Sequence, residues 1–131
     1  MGIINKIIGI FKSIKGISNY TKRDRNKGGK TLEEFVAFVK DQFGSEYIIV
    51  DNLPATKINP NVVDSRPYNL AFIKDEKLVL TILFTEHNRD RNKYFANAKK
   101  TCAEYGITCL NFYAHFPNED DYVINRIREN L

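Results

Sequence analysis

The stretch from Tyr68 to Phe84 poses the first chemical question. Two apolar runs, residues 68–73 and 78–84, flank the polar tetrapeptide Lys74-Asp75-Glu76-Lys77, a pattern that reads as two strands joined by a hairpin. A metal-dependent phosphodiesterase holds a divalent cation on carboxylate oxygens, where it polarises the phosphate and generates hydroxide. The polar groups these runs offer are Asn69 and Thr81, an amide and a hydroxyl. Both can ligate a cation, but neither brings charge to it. Alternation along the second strand puts Val79, Thr81, Leu83 and Thr85 on one face, with no carboxylate or lysine among them.

Other reactive groups lie nearby in sequence. Glu86-His87 follows the second strand and reads as a polar loop, as does His115 beside Phe116-Pro117. Cys102 and Cys109 lack zinc-ligand spacing with His115 and read as buried, reduced thiols of an intracellular protein. Arg89, Lys93 and Lys100 fall on one helical face with Asn97 between them, and Arg91 and Lys99 lie close by. Such a face could contact phosphates, although a solvated helix surface produces the same pattern.

The elements that position these groups follow from pattern and capping signals. Thr31 with Glu34 makes a capping box. Leu32, Phe35, Val36, Val39 and Phe43 then form the apolar face of a helix that Gly44 stops. Residues 47–50 form a short strand, and 53–67, with three of the four prolines, an irregular connection. The second hairpin strand is apolar on both faces apart from Thr81, as expected of a central strand. A helix over about 90–105 turns Phe95, Ala98, Cys102 and Tyr105 inward and stops at Gly106. Residues 107–113 form another strand. After Pro117-Asn118 comes a last helix, with Glu119, Asp120 and Asp121 at the positive end of its dipole. Val123, Ile124, Ile127 and Leu131 make its apolar side.

This order, α-β-β-β-α-β-α over residues 31–131, resembles the common core of the PD-(D/E)XK, or restriction-endonuclease-like, superfamily. It is closest to the small stand-alone bacterial members. Arg66-Pro67-Tyr68-Asn69-Leu70-Ala71-Phe72 is similar to that family's Asp-bearing strand, and Leu80-Thr81-Ile82-Leu83 to its Glu-x-Lys strand. Thr85-Glu86-His87 resembles the turn that follows, and Tyr105-Gly106-Ile107-Thr108-Cys109-Leu110 the helix stop and fourth strand. The resemblance implies a mixed sheet flanked by helices. It places the family's Asp, Glu and Lys positions at Asn69, Thr81 and Leu83, so it implies a degenerate site with no catalytic residue and no metal. The alternative is a relocated metal site built from Glu34, Asp64 and Glu86, with Lys93 reaching in. Only that alternative calls for Mg or Mn.

Charge separates the N-terminus from this body. The net charge is +4. Residues 1–30 hold Lys6, Lys12, Lys15, Lys22, Arg23, Arg25, Lys27 and Lys30 against Asp24 alone, whereas residues 31–131 are net acidic. Over residues 1–18, Ile3, Ile4, Ile7, Ile8, Ile10, Phe11, Ile14 and Ile17 cover one half of a helical wheel. No apolar run is long enough to span a bilayer, and no cleavable signal is evident. The segment fits an anionic membrane interface, a protein partner or the chain's own domain. It also fits a nucleic acid, together with the basic arm. Residues 19–30 read as a charged linker.

The sequence therefore leads to a cytoplasmic, catalytically inactive nuclease-like binding module, peripheral to a membrane or held by a partner. Lys6, Lys12, Lys15, Lys22, Arg23 and Arg25 are its anionic-surface contacts. Nucleic-acid binding without cleavage, through Arg89, Arg91, Lys93 and Lys100, is the alternative. No small-molecule substrate is expected.

Overall fold

A computed structural model describes residues 29–86 and 89–131. The amphipathic segment 1–18, residues 19–28 of the linker and His87 lie outside the described residues. Within the body the elements are α1 (Leu32–Phe43), β1 (Ile48–Leu53), β2 (Tyr68–Lys74), β3 (Lys77–Thr85), α2 (Lys93–Glu104), β4 (Thr108–Tyr113) and α3 (Asp120–Arg128). Short 3-10 turns occur at Ala55–Lys57 and Arg89–Arg91. The fold is mixed α/β.

One four-stranded sheet runs in the order β1-β2-β3-β4. The first three strands form an antiparallel meander, and β4 joins β3 in parallel. A parallel neighbour needs a long crossover, and α2 supplies it. The largely apolar β3 is thereby an interior strand, and both its faces are covered. On one side α1 and α3 bring Phe35, Val39, Phe43, Val123 and Ile127 onto Leu70, Phe72, Leu80, Ile82, Phe84 and Phe112. Phe35 is the hub, its ring 4.8 Å from Phe84 and 5.0 Å from Phe112. On the other side α2 lays Phe95, Ala98 and Cys102 on Leu83 and Tyr68.

Local chemistry explains most boundaries. Thr31 Oγ1 accepts from the Glu34 amide while Glu34 Oε1 accepts from the Thr31 amide, which closes both donors at the start of α1. The hairpin is tighter than the tetrapeptide suggests. Strand pairing continues to Lys74↔Lys77, leaving only Asp75 and Glu76, with φ of 53° and 64°. Two positive φ values mark the turn type whose twist matches the strands. Gly106, at φ 71°, ends α2 in the left-handed conformation glycine adopts freely.

Several sequence expectations need correction. β1 extends to Leu53 rather than stopping at Val50, because Asp51 and Leu53 still pair with β2. The helix predicted from about Asp90 begins at Lys93. Asn92 caps it by accepting from the Phe95 amide, and Arg89–Arg91 is a separate turn. Tyr105 is 52% exposed, since the chain leaves the helix before its side chain can turn inward. Leu32, the first residue of α1, and Leu131 are exposed as well. Val79 does not share a face with Thr81. Ile73 pairs with Leu78 and Phe72 with Leu80, so Val79 is the extra residue of a β-bulge and packs against the α1/α3 cluster.

Lys30, counted with the basic arm in the sequence, is tied to the body. Its ammonium contacts Asp120 Oδ1 at 2.6 Å and the Asn118 carbonyl at 2.8 Å, above the Phe38 ring. On the outer edge of the sheet, Arg126 donates to the Asn111 carbonyl and lies over Phe112, covering an otherwise open strand. No helix among the described residues is long and apolar enough to cross a membrane.

Candidate functional site

Asn69 sits where β2 and β3 part. Their register runs through Leu70↔Ile82 and goes no further in that direction. Past that pair the Phe84 amide bonds not to a backbone carbonyl but to Asn69 Oδ1, at 2.7 Å. Arg66 Nη2 donates to the same oxygen at 2.7 Å and approaches the Phe84 carbonyl at 3.5 Å. One carboxamide oxygen therefore takes a sheet amide and a guanidinium together.

The neighbouring residues turn with it. Alternation from Leu70 and Phe72 would aim Tyr68 toward α1 and α3. Its ring instead joins the α2 cluster, and its hydroxyl donates to the Ala98 carbonyl at 2.7 Å. Leu53, its partner on β1, makes the same switch, one residue after Asn52 at φ 53°. Burial, with the nearby Cys102 adding to it, pushes the Tyr68 hydroxyl well above its ordinary pKa. It is a structural donor.

Arg66 is held from several directions. Its backbone amide bonds to the Tyr94 carbonyl, and Asn97 Nδ2 reaches the Val63 and Asp64 carbonyls at 3.3 and 3.0 Å. The irregular connection before β2 is thus strapped along α2, which delivers the guanidinium to Asn69. Burial lowers the Arg66 pKa, while Glu86 acts in the opposite direction. An arginine stays protonated under such pressure, so Asn69 faces a permanent cation.

Thr81 and Leu83 are fully buried against α2. Thr81 Oγ1 lies 3.2 Å from Cys102 Sγ and 3.4 Å from the Thr108 carbonyl. Leu83 belongs to the cluster of Phe95 and Ala98. Thr85, also buried, donates to Asn111 Oδ1 on β4, and among the described residues no partner meets Asn111 Nδ2. The sequence put Asn69, Thr81 and Leu83 in one site. Asn69 is held in the gap between strands, whereas Thr81 and Leu83 form part of the packed layer under α2.

The carboxylates considered for a relocated site are engaged separately. Glu34 serves the α1 cap. Asp64 pairs with Lys93 at 3.4 Å, both side chains being largely exposed. Glu86 is exposed at the end of β3. Among the described residues no three His, Cys, Asp or Glu side chains converge as a metal site. His115 stacks near Tyr113 and Phe116, at 5.6 and 4.4 Å between ring centres, on the loop after β4.

The proposed phosphate-contacting face is also divided. Arg89 and Arg91 lie in the 3-10 turn, so the helical spacing that aligned Arg89 with Lys93 does not apply across the Asn92 cap. Lys99 and Lys100 are exposed further along α2, with Lys99 5.9 Å from the Phe95 ring centre.

From sequence, Arg66 carries no assigned role and the two cysteines read as buried, reduced thiols. The signal for Arg66 was its position three residues before an Asn in a strand otherwise apolar. For the cysteines it was the register of a crossover helix on its following strand. No protein-family model, no curated protein and no solved structure matches the chain.

Proposed function

We propose that the chain is a catalytically inactive, restriction-endonuclease-like binding module, held at an anionic membrane surface on the cytoplasmic side by its basic N-terminal segment. The observation that carries this reading is the Asn69 carboxamide, whose oxygen accepts from the Arg66 guanidinium and the Phe84 amide. In the family it resembles, that position holds a metal-binding carboxylate. Here a fixed side-chain cation stands beside a neutral acceptor. The helix-meander-helix-strand-helix order and the mixed sheet support the family assignment. The concentration of positive charge in residues 1–30 against an acidic body supports the anionic surface.

The test is co-sedimentation of the full chain with phosphatidylserine-containing vesicles, beside the Lys6→Glu, Lys12→Glu, Lys15→Glu triple variant. Binding by the natural sequence and its loss in the variant is the expected result. Absence of binding, or equal binding by both, refutes the membrane reading and moves the search to a protein partner. The exposed Arg89, Arg91 and Lys100 near the start and middle of α2 favour a second reading, nucleic-acid binding without cleavage. That reading requires an affinity for DNA or RNA that falls steeply with salt and weakens in Arg89→Ala, Arg91→Ala.

A further inference from the structure

Two thiols meet beneath the end of α2. Cys102 lies on the inward face of the helix and is buried, and Cys109 is the second residue of β4 and partly exposed. The chain reverses between them at Gly106, and the Ile107 amide bonds back to the Cys102 carbonyl at 2.9 Å. Thr81 links the pair. It is the register partner of Cys109 on the adjacent strand, and its hydroxyl is 3.2 Å from Cys102 Sγ. Both residues belong to the α2 cluster.

We propose that Cys102 and Cys109 are a redox-modification site: a dithiol that a hydroperoxide converts to an intramolecular disulfide. The chemistry needs a thiolate, a resolving thiol within reach and access for a small oxidant. The neighbouring Cys109 holds the Cys102 thiol down to about 6, with burial opposing and Thr81, Tyr68 and Lys99 helping. Cys109 is driven the other way, chiefly by Cys102 and then by burial. Cys102 is thus the attacking sulfur and Cys109 the resolving one, and the pair reaches solvent through Cys109.

The reaction balances in two steps. Cys102 sulfur attacks one peroxide oxygen, the O–O bond breaks, and hydroxide leaves to take up a proton, giving a sulfenic acid. Cys109 sulfur then attacks the Cys102 sulfur, the S–O bond breaks, and the Cys109 proton departs with the hydroxyl as water. Two thiols are oxidised by two electrons, and one hydroperoxide is reduced. The product fastens the last turn of α2 to β4.

The test uses the folded full chain and hydrogen peroxide at low molar excess, followed by intact mass. The expected result is loss of two hydrogens, reversed by dithiothreitol, with no disulfide-linked dimer. Residues 101–126 contain no internal Lys or Arg, so trypsin leaves both cysteines in one peptide. Cleavage after Glu104 must then fail to separate the two halves until reductant is added. Cys109→Ser is expected to trap the sulfenic acid on Cys102, visible as a dimedone adduct. Two free thiols by alkylation after peroxide treatment would overturn the proposal. So would a disulfide that forms only in urea, or one that links two chains.

Discussion

Replacing Asn69 isolates the contact on which the proposed function rests. In Asn69→Ala the Phe84 amide loses its acceptor inside the sheet, and the Arg66 guanidinium loses its closest partner. An amide left unpaired away from water costs about 1–3 kcal/mol. Arg66 is only partly buried, so solvent compensates much of its loss, and about 1 kcal/mol is assigned to it. The sum is a destabilisation of about 2–4 kcal/mol. Asn69→Asp keeps the accepting oxygen and places a carboxylate against the guanidinium, a gain of about 0–1 kcal/mol for a part-exposed pair. The assay is urea unfolding, comparing midpoints at unchanged slope. The Ala variant should unfold at clearly lower urea, and the Asp variant at or above the natural midpoint. In a cycle with Arg66→Ala the two losses should fall short of additivity by about 1 kcal/mol. An Ala variant within about 0.5 kcal/mol of the natural chain, or an Asp variant as unstable as Ala, refutes the reasoning.

Three further outcomes are expected. Glu76→Gly should raise stability by about 0.5 kcal/mol in the same urea assay, because relief of a left-handed non-glycine residue, about 1–2 kcal/mol, outweighs glycine's entropy of about 0.5–1 kcal/mol. Tyr68→Phe should lose about 0.5–1.5 kcal/mol at neutral pH, the net worth of the buried hydrogen bond from its hydroxyl to the Ala98 carbonyl. It should also lose less than the natural chain as pH rises. The Tyr68 pKa is raised in the fold, so its contribution is intact below the ordinary tyrosine pKa of about 10 and declines above it. Thiolate absorbance of the folded chain should fall on acidification with a midpoint near the value of about 6 held by Cys102. The stability that this ionisation supplies is present above the ordinary thiol pKa and is lost as pH falls through that midpoint. In Cys109→Ala the midpoint should move up, since the neighbour responsible is gone.

The fold was legible where one residue type decides one local conformation. Thr31 and Glu34 announced the α1 cap, Gly106 the end of α2, and the two-faced apolar run of residues 78–84 an interior strand. What escaped were places where a tertiary contact overrides periodicity. Val79 breaks alternation because a bulge absorbs it, and Leu53 and its partner Tyr68 change sides next to Asn52, whose φ is 53°. Arg89 was aligned with Lys93 on a wheel that assumed unbroken helix, which the Asn92 cap interrupts. At the candidate site, residue types and element order grouped Asn69, Thr81 and Leu83, but not the separation of Asn69 from the other two. The role Asn69 has instead depends on Arg66 arriving along a loop strapped to α2, and spacing alone carries no sign of that path.

A direct cleavage measurement bears hardest on the central claim that Asn69 and Arg66 form a closed, inert contact. The full chain would be incubated with Mn²⁺ and fluorogenic single- and double-stranded DNA and RNA, beside Asn69→Ala and Glu86→Gln. The account predicts no metal-dependent cleavage by any of the three. Cleavage by the natural chain that requires Mn²⁺ and is lost in Asn69→Ala or Glu86→Gln would contradict it.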